Sequence, residues 1–148
     1  MHAQNIFLPI KKELLECYAF WIGILVLKTC LMIIQVGLSR VFYRAPRNPE
    51  DGAPFKAKVI THETVERNRR AHLNDLENIP FFIVISFLYL LTDPSITPTQ
   101  WIIKIYVISR ILYTVSYTVM KSIIRIPIFE IGLFTNIYLS LSVIYHFS

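Results

Sequence analysis

The chain has 148 residues, enough for one domain, with 54% hydrophobic and only 17% charged residues and a mean hydropathy of +0.49. A soluble domain of that size has too little interior for so much apolar surface, so these values point to an integral membrane protein. The formal charge of +5 does not indicate nucleic acid, because the basic, aromatic-interleaved polar surface such binding uses is missing; a basic cytosolic face accounts for it more simply.

Met1 to Ile10 is a short lead without the small-residue cleavage site of a signal peptide. A first span is expected over about residues 14–38. Lys28 interrupts it. That lysine either snorkels to the interface or faces other helices and pairs there with an acidic or carbonyl group. Cys17 and Cys30 sit in the same apolar span. On one helix they would lie about 20 Å apart at ~1.5 Å per residue, too far for a disulfide. Neither has metal spacing, and both read as reduced packing residues.

Residues 40–64 form a polar connection broken by Pro46, Pro49, Gly52 and Pro54, with Thr61 or Thr64 available to cap the next helix. That helix is expected from about Val65 to Leu91, with its spanning part at about 72–91 and a kink at Pro80. Asp93-Pro94-Ser95 makes a turn. A third span follows over about 98–119, opened by the cap Thr97 and by Pro98 at the first helical position. Met120 to Ile126 reads as a short basic turn, and a fourth span runs over about 127–147. Its few polar residues are Asn136, Ser140 and Ser142, a type that commonly joins membrane helices.

The expected architecture is therefore all-α: a single domain over 1–148, built as an integral membrane four-helix bundle. Four crossings place both termini on one side. Eight Lys/Arg fall between Arg40 and Arg70 (Arg40, Arg44, Arg47, Lys56, Lys58, Arg67, Arg69, Arg70), and Lys121 and Arg125 add to that side. The positive-inside rule then makes the long loop cytosolic and the termini lumenal.

The densest polar stretch, Val65 to Phe81, runs without a break into an apolar segment, and ions at such a place are costly and usually functional. On a helix, Arg67, Arg70, Asn74 and Glu77 share one face, while Arg69, His72 and Asp75 form a second stripe. Cations at the loop end and a carboxylate deeper in would match an elongated zwitterion with carboxylates at one end and an ammonium further on. Arginine suits the carboxylates through its planar fork, and Glu77 would take the ammonium. The competing reading is a set of interhelical salt bridges, for example Glu77 with Arg110. His72 has no second ligand at metal spacing and reads as a hydrogen-bonding residue; no metal site is expected. Arg110, Tyr113 and Tyr117 lie on one side of the third span. The tyrosines read either as interfacial belt residues or as part of a site around Arg110. No catalytic triad or paired carboxylates stand out. In an enzyme, the nucleophile would come from the ligand, a thiol being the best candidate because arginine can hold it as a thiolate.

The run Glu66-Arg67-Asn68-Arg69-Arg70-Ala71-His72-Leu73-Asn74-Asp75-Leu76-Glu77-Asn78-Ile79-Pro80-Phe81 resembles the signature of the MAPEG family, the membrane-associated proteins of eicosanoid and glutathione metabolism. Lys28, Arg40, Asn48-Pro49-Glu50-Asp51 and Arg110-x-x-Tyr113-Thr114-x-x-Tyr117 agree with it. The Arg69-Arg70 pair and Leu73 lean toward its transferases. The resemblance implies a homotrimer of four-helix subunits in the endoplasmic reticulum membrane, or also the mitochondrial outer membrane. It implies glutathione as co-substrate at subunit interfaces, bound by Arg40, Arg69, Arg70, His72, Asn74, Glu77 and Tyr117. Arg125 takes the place of the thiolate-stabilising arginine, although its spacing from Tyr117 is one residue short of the family pattern. Lys28 and Arg110 match basic positions in the bundle, and Tyr113 stands where the family has histidine. The implied activity is conjugation of glutathione to hydrophobic electrophiles from the bilayer, with reduction of lipid hydroperoxides beside it. The alternatives are glutathione-dependent isomerisation of a prostaglandin endoperoxide, in which Asp51 would act with arginine, and a non-catalytic membrane scaffold.

Overall fold

The computed structural model describes residues 10–55, 59–119 and 122–148, and it contains helices and turns but no strand among them. In chain order the helices are α1 (Lys12–Phe42), a single turn α2 (Pro49–Gly52), α3 (Glu63–Leu90), α4 (Ile96–Val119) and α5 (Arg125–Phe147). Three of them, α1, α3 and α5, are long and apolar enough to cross a membrane by length and composition. α1 packs on α3 and α4, and α5 packs on the same two helices, so the four long helices form a bundle with α3 and α4 also touching across it.

The chain's apolar surplus divides as a membrane bundle requires. A tight core joins Leu25, Ile79, Phe82, Ile103, Tyr106, Val107 and Leu139. Phe82 and Tyr106 stack at 3.6 Å between ring centroids. The outward faces carry exposed Phe20, Leu27, Phe81, Trp101, Phe134 and Ile144, side chains that water would not tolerate in such number but lipid would. α3 and α4, each packed against the other three long helices, hold the buried polar groups: Asn68, Asp75 and Ser86 on α3, and Thr99, Ser109, Arg110 and Ser116 on α4.

Helix ends follow from local chemistry. Lys11 donates to the Pro94 carbonyl (2.9 Å) and pairs with Asp93 (2.9 Å), tying the start of α1 to the α3–α4 turn. At its far end α1 closes in a Schellman motif: Ala45 N–H donates to Arg40 C=O and Arg44 N–H to Val41 C=O. Arg44 occupies the position where glycine is usual, at φ 47°. A left-handed conformation costs a residue with a Cβ roughly 1–2 kcal/mol.

Several expected boundaries moved. The proline-rich loop contains a helical turn, because Pro49 sits at its start and Asn48 and Asp51 form a reciprocal capping box. His62, rather than Thr61 or Thr64, caps α3: its Nδ1 accepts from Thr64 N–H at 3.3 Å, and its ring stacks on Tyr43 at 3.8 Å. α4 begins at Ile96, before the expected Thr97 cap, and Thr99 Oγ1 donates back to the Ser95 carbonyl. α5 begins at Arg125 rather than Pro127, so proline falls in its first turn, where its missing N–H has no helical partner to lose. Helix α3 continues through Pro80, and α4 reaches it there, Tyr106 Oη donating to the Asn78 carbonyl at 3.0 Å. Met120 and Lys121 of the expected basic turn lie outside the described residues. Ser140 and Ser142 donate to carbonyls of their own helix, at Asn136 and Tyr138.

Candidate functional site

Helix α3 turns three different faces to its surroundings, and each carries part of the predicted site. Its buried face runs through Val65, Asn68, Ala71, Asp75, Ile79 and Phe82. Asp75 belongs here, which corrects its place in an Arg69/His72 stripe: with 3.6 residues per turn it lies a full turn and more beyond Ala71 on the core side. Its side chain is 0% exposed and pairs with Lys28 Nζ at 2.5 Å. Lys28 does not snorkel; it reaches inward to an acid.

The second face opens on a cleft of about 530 Å³ between α1, the loop and α3. Arg40, Arg47, Glu66, Arg69 and His72 supply its polar side, and Val36, Ile60, Leu73 and Leu76 its apolar side. Arg69 Nε donates to Glu66 Oε2 at 2.8 Å. His72 lines the cleft, and its Nδ1 is buried without a hydrogen-bond partner among the described residues.

The third face carries Arg67, Arg70, Asn74 and Glu77. Arg67 and Arg70 share Glu63 Oε1 at 3.4 and 3.3 Å, and both arginines are close to half exposed. Glu77 is exposed, and Asn74 turns toward α4. There it meets Arg110, whose Nη1 donates to Asn74 Oδ1 at 3.3 Å. Among the described residues Arg110 thus meets the neutral amide of Asn74, not the Glu77 carboxylate offered for an ion pair.

Arg110 is fully buried. Its Nη2 donates to the carbonyls of Ile128 and Phe129 in the first turns of α5 (3.4 and 3.3 Å), and its guanidinium carbon lies 5.2 to 5.8 Å from the ring centres of Tyr106, Tyr113 and Phe129. These contacts explain why a charge is tolerated there: oriented carbonyls and ring faces replace water. Gly132 makes the approach possible. A Cβ at that position would stand 2.7 Å from the Arg110 guanidinium carbon. From Arg110 the aromatic run continues outward: Tyr113 and Tyr117 meet edge to face at 5.4 Å, and the Arg125 guanidinium stands 4.4 Å from the Tyr117 ring centre. Arg125 Nε is buried with no partner among the described residues.

Asp51 lies apart from the deeper residues. Its Oδ2 accepts from the Asn48 backbone and side chain, and it lines a second cavity with Arg40 at the end of α1. Within the chain, then, Arg40, Arg69 and His72 come together, as do Asn74, Arg110 and Tyr113, and Tyr117 with Arg125. Arg70 and Glu77 face outward. Sequence reading missed Gly132, Arg47 and Glu66. Glu66, three residues before Arg69, carried a signal in its spacing; Gly132 carried none without the fold.

An ionic stripe on one spanning helix, a loop-end arginine cleft and a buried arginine on the next helix define a class. The chain belongs to the MAPEG family, whose model matches residues 18–145. Among similar proteins, microsomal glutathione S-transferase 1 of Mus musculus is 38% identical over 111 residues, covering 71% of this chain and 72% of its own. The Homo sapiens protein of that name is 35% identical over 111 residues, covering 71% of this chain and 72% of its own. A prostaglandin E synthase of Homo sapiens is 32% identical over 98 residues, covering 64% of this chain and 63% of its own.

Proposed function

We infer that this chain is a membrane-bound glutathione transferase that joins the glutathione thiolate to hydrophobic electrophiles and also reduces lipid hydroperoxides. The observation that carries this is the cleft where Arg40, Arg69 and His72 meet beside apolar Leu73 and Leu76. One side can take a peptide's carboxylates and the other a lipid-soluble partner. Arg69 and Arg70 already hold carboxylates of the chain itself, from Glu66 and Glu63, and glutathione's carboxylates would take the same places. Glu77 receives the ammonium, and Asn74 and Tyr117 add hydrogen bonds. Arg125 stands against the sulfur. The thiol loses its proton to solvent, the thiolate forms a bond to the electrophilic carbon, and the leaving group departs with its bonding electrons. Arginine remains charged throughout and is not consumed.

The site as proposed is completed by a second subunit. Arg69 and Arg70 are successive residues, about 100° apart around α3, so one ligand touching both faces needs another chain's surface. A homotrimer of four-span subunits, with α4 as the fourth span, meets that need. The basic loop supports a cytosolic site with lumenal termini, in the endoplasmic reticulum membrane or also the mitochondrial outer membrane. Purified protein given glutathione and a chloro-dinitrobenzene should form the conjugate, and Arg125→Ala should lower the rate about a hundredfold, the typical size for one electrostatic stabiliser. Equal rates would remove Arg125 from the mechanism. Absence of thiolate absorbance on adding glutathione would favour a scaffold instead.

A second reading is glutathione-dependent isomerisation of a prostaglandin endoperoxide. Asp51 beside Arg40 in the cavity at the end of α1 favours it. Supplying the endoperoxide and finding no E-series product dismisses it.

A further inference from the structure

The end of α1 carries a second basic cavity, which shares Arg40 and Arg47 with the glutathione cleft and adds Arg44, a residue with no part in the glutathione site. It encloses about 500 Å³ and is lined by Arg40, Arg44, Arg47, Asp51, Val41 and Pro46. Three guanidiniums face one carboxylate, and that carboxylate is engaged by the Asn48 backbone and side chain. Among the described residues neither Arg44 nor Arg47 has an ion pair. Like charges gathered this way repel one another and raise the energy of the free protein. The backbone adds a second, independent cost. Arg44 sits in the left-handed position of the helix stop, at φ 47°, where glycine would end the helix without strain. Folding alone would favour glycine there, so the arginine has another reason to be present.

The surroundings name the occupant's chemistry. Val41 lines the cavity itself, and Val41 and Phe42 are 77% and 79% exposed at the end of a helix long enough to cross a membrane. Basic side chains and an exposed apolar one thus line the same cavity at the end of a candidate membrane span. We propose that this cavity binds the phosphate of an anionic phospholipid headgroup, with Arg44 and Arg47 as its donors and Val41 against the acyl chains. Guanidinium forks match phosphate oxygens bidentately, and basic residues beside a membrane surface select anionic lipids. The bound lipid would offset both the charge crowding and the strained residue, and it would fix the loop that borders the glutathione cleft through Arg47.

Full-length protein reconstituted in phosphatidylcholine vesicles, with and without a minor fraction of phosphatidylserine, tests this with spin-labelled lipids. Wild type should retain the anionic label in preference to the neutral one. Arg44→Gly and Arg44→Gln should each lower that preference about fivefold, the effect of one guanidinium near an anionic surface. Arg44→Gly should melt at or above the wild-type temperature, while Arg44→Gln keeps the strain. Conjugation and the KM for glutathione should be unchanged in both variants within phosphatidylcholine alone. Unaltered lipid preference in both would overturn the proposal. Equal displacement of the labelled lipid by millimolar inorganic phosphate would make this a soluble-anion site. A raised KM for glutathione would assign the cavity to glutathione's own carboxylates.

Discussion

Two sets of ions in this bundle are built to opposite specifications. Lys28, Asp75 and Arg110 lie inside, and their partners come from other helices: Lys28 on α1 meets Asp75 on α3, and Arg110 on α4 meets Asn74 and the carbonyls of α5. Arg67, Arg69 and Arg70 lie near the surface, and their partners, Glu63 and Glu66, are close by on the same helix. The inner set cannot exchange partners without breaking the bundle. The outer set can, because exposed pairs are each worth about 0–1 kcal/mol and a ligand carboxylate offers the same bond. A charge's partner, more than its presence, separates framework from site.

The comparison breaks most visibly at Asp75. Asp75→Ala leaves the Lys28 ammonium buried without a partner and should lower stability by about 3–5 kcal/mol, read as a fall in melting temperature in detergent or vesicles. Replacing both residues by apolar ones of similar volume should recover most of that loss. Should Asp75→Ala melt like wild type, the inner pair is not framework. The outer set should respond the other way. Arg69→Ala should weaken glutathione binding by about 1.5–3 kcal/mol, roughly ten- to a hundredfold in titration, with melting nearly unchanged. A melting loss as large as that of Asp75→Ala would erase the distinction. The smallest effect belongs to Glu63→Ala. Losing two exposed pairs should shift stability by less than about 1 kcal/mol, while freeing Arg70 should tighten glutathione binding slightly. Weaker binding in this variant would show that Glu63 positions the arginines rather than competing with the ligand.

The sequence made the bundle legible because its signals were local. Long apolar runs and the polar, proline-rich stretches between them each act within a few residues of where they stand. The arginine-rich face of α3 was legible for the same reason. Asp75 was not, because its neighbour His72 shares its polarity, and only the identity of the facing helix decides which of the two is buried. The cap at His62 escaped for a related reason: histidine is a rare cap, and its use depends on Tyr43, far away in the chain, stacking on its ring. Gly132 was silent because its role is to be absent where Arg110 lies.

That last contact carries a rule about how this protein can change. The space occupied by the Arg110 guanidinium is the space a side chain at position 132 would fill. The two positions therefore hold one volume between them, although 22 residues of chain separate their numbers. A larger residue at 132 requires the Arg110 guanidinium to move from where it now lies. Drift at either site is therefore felt at the other, and among related chains the two should tend to change together.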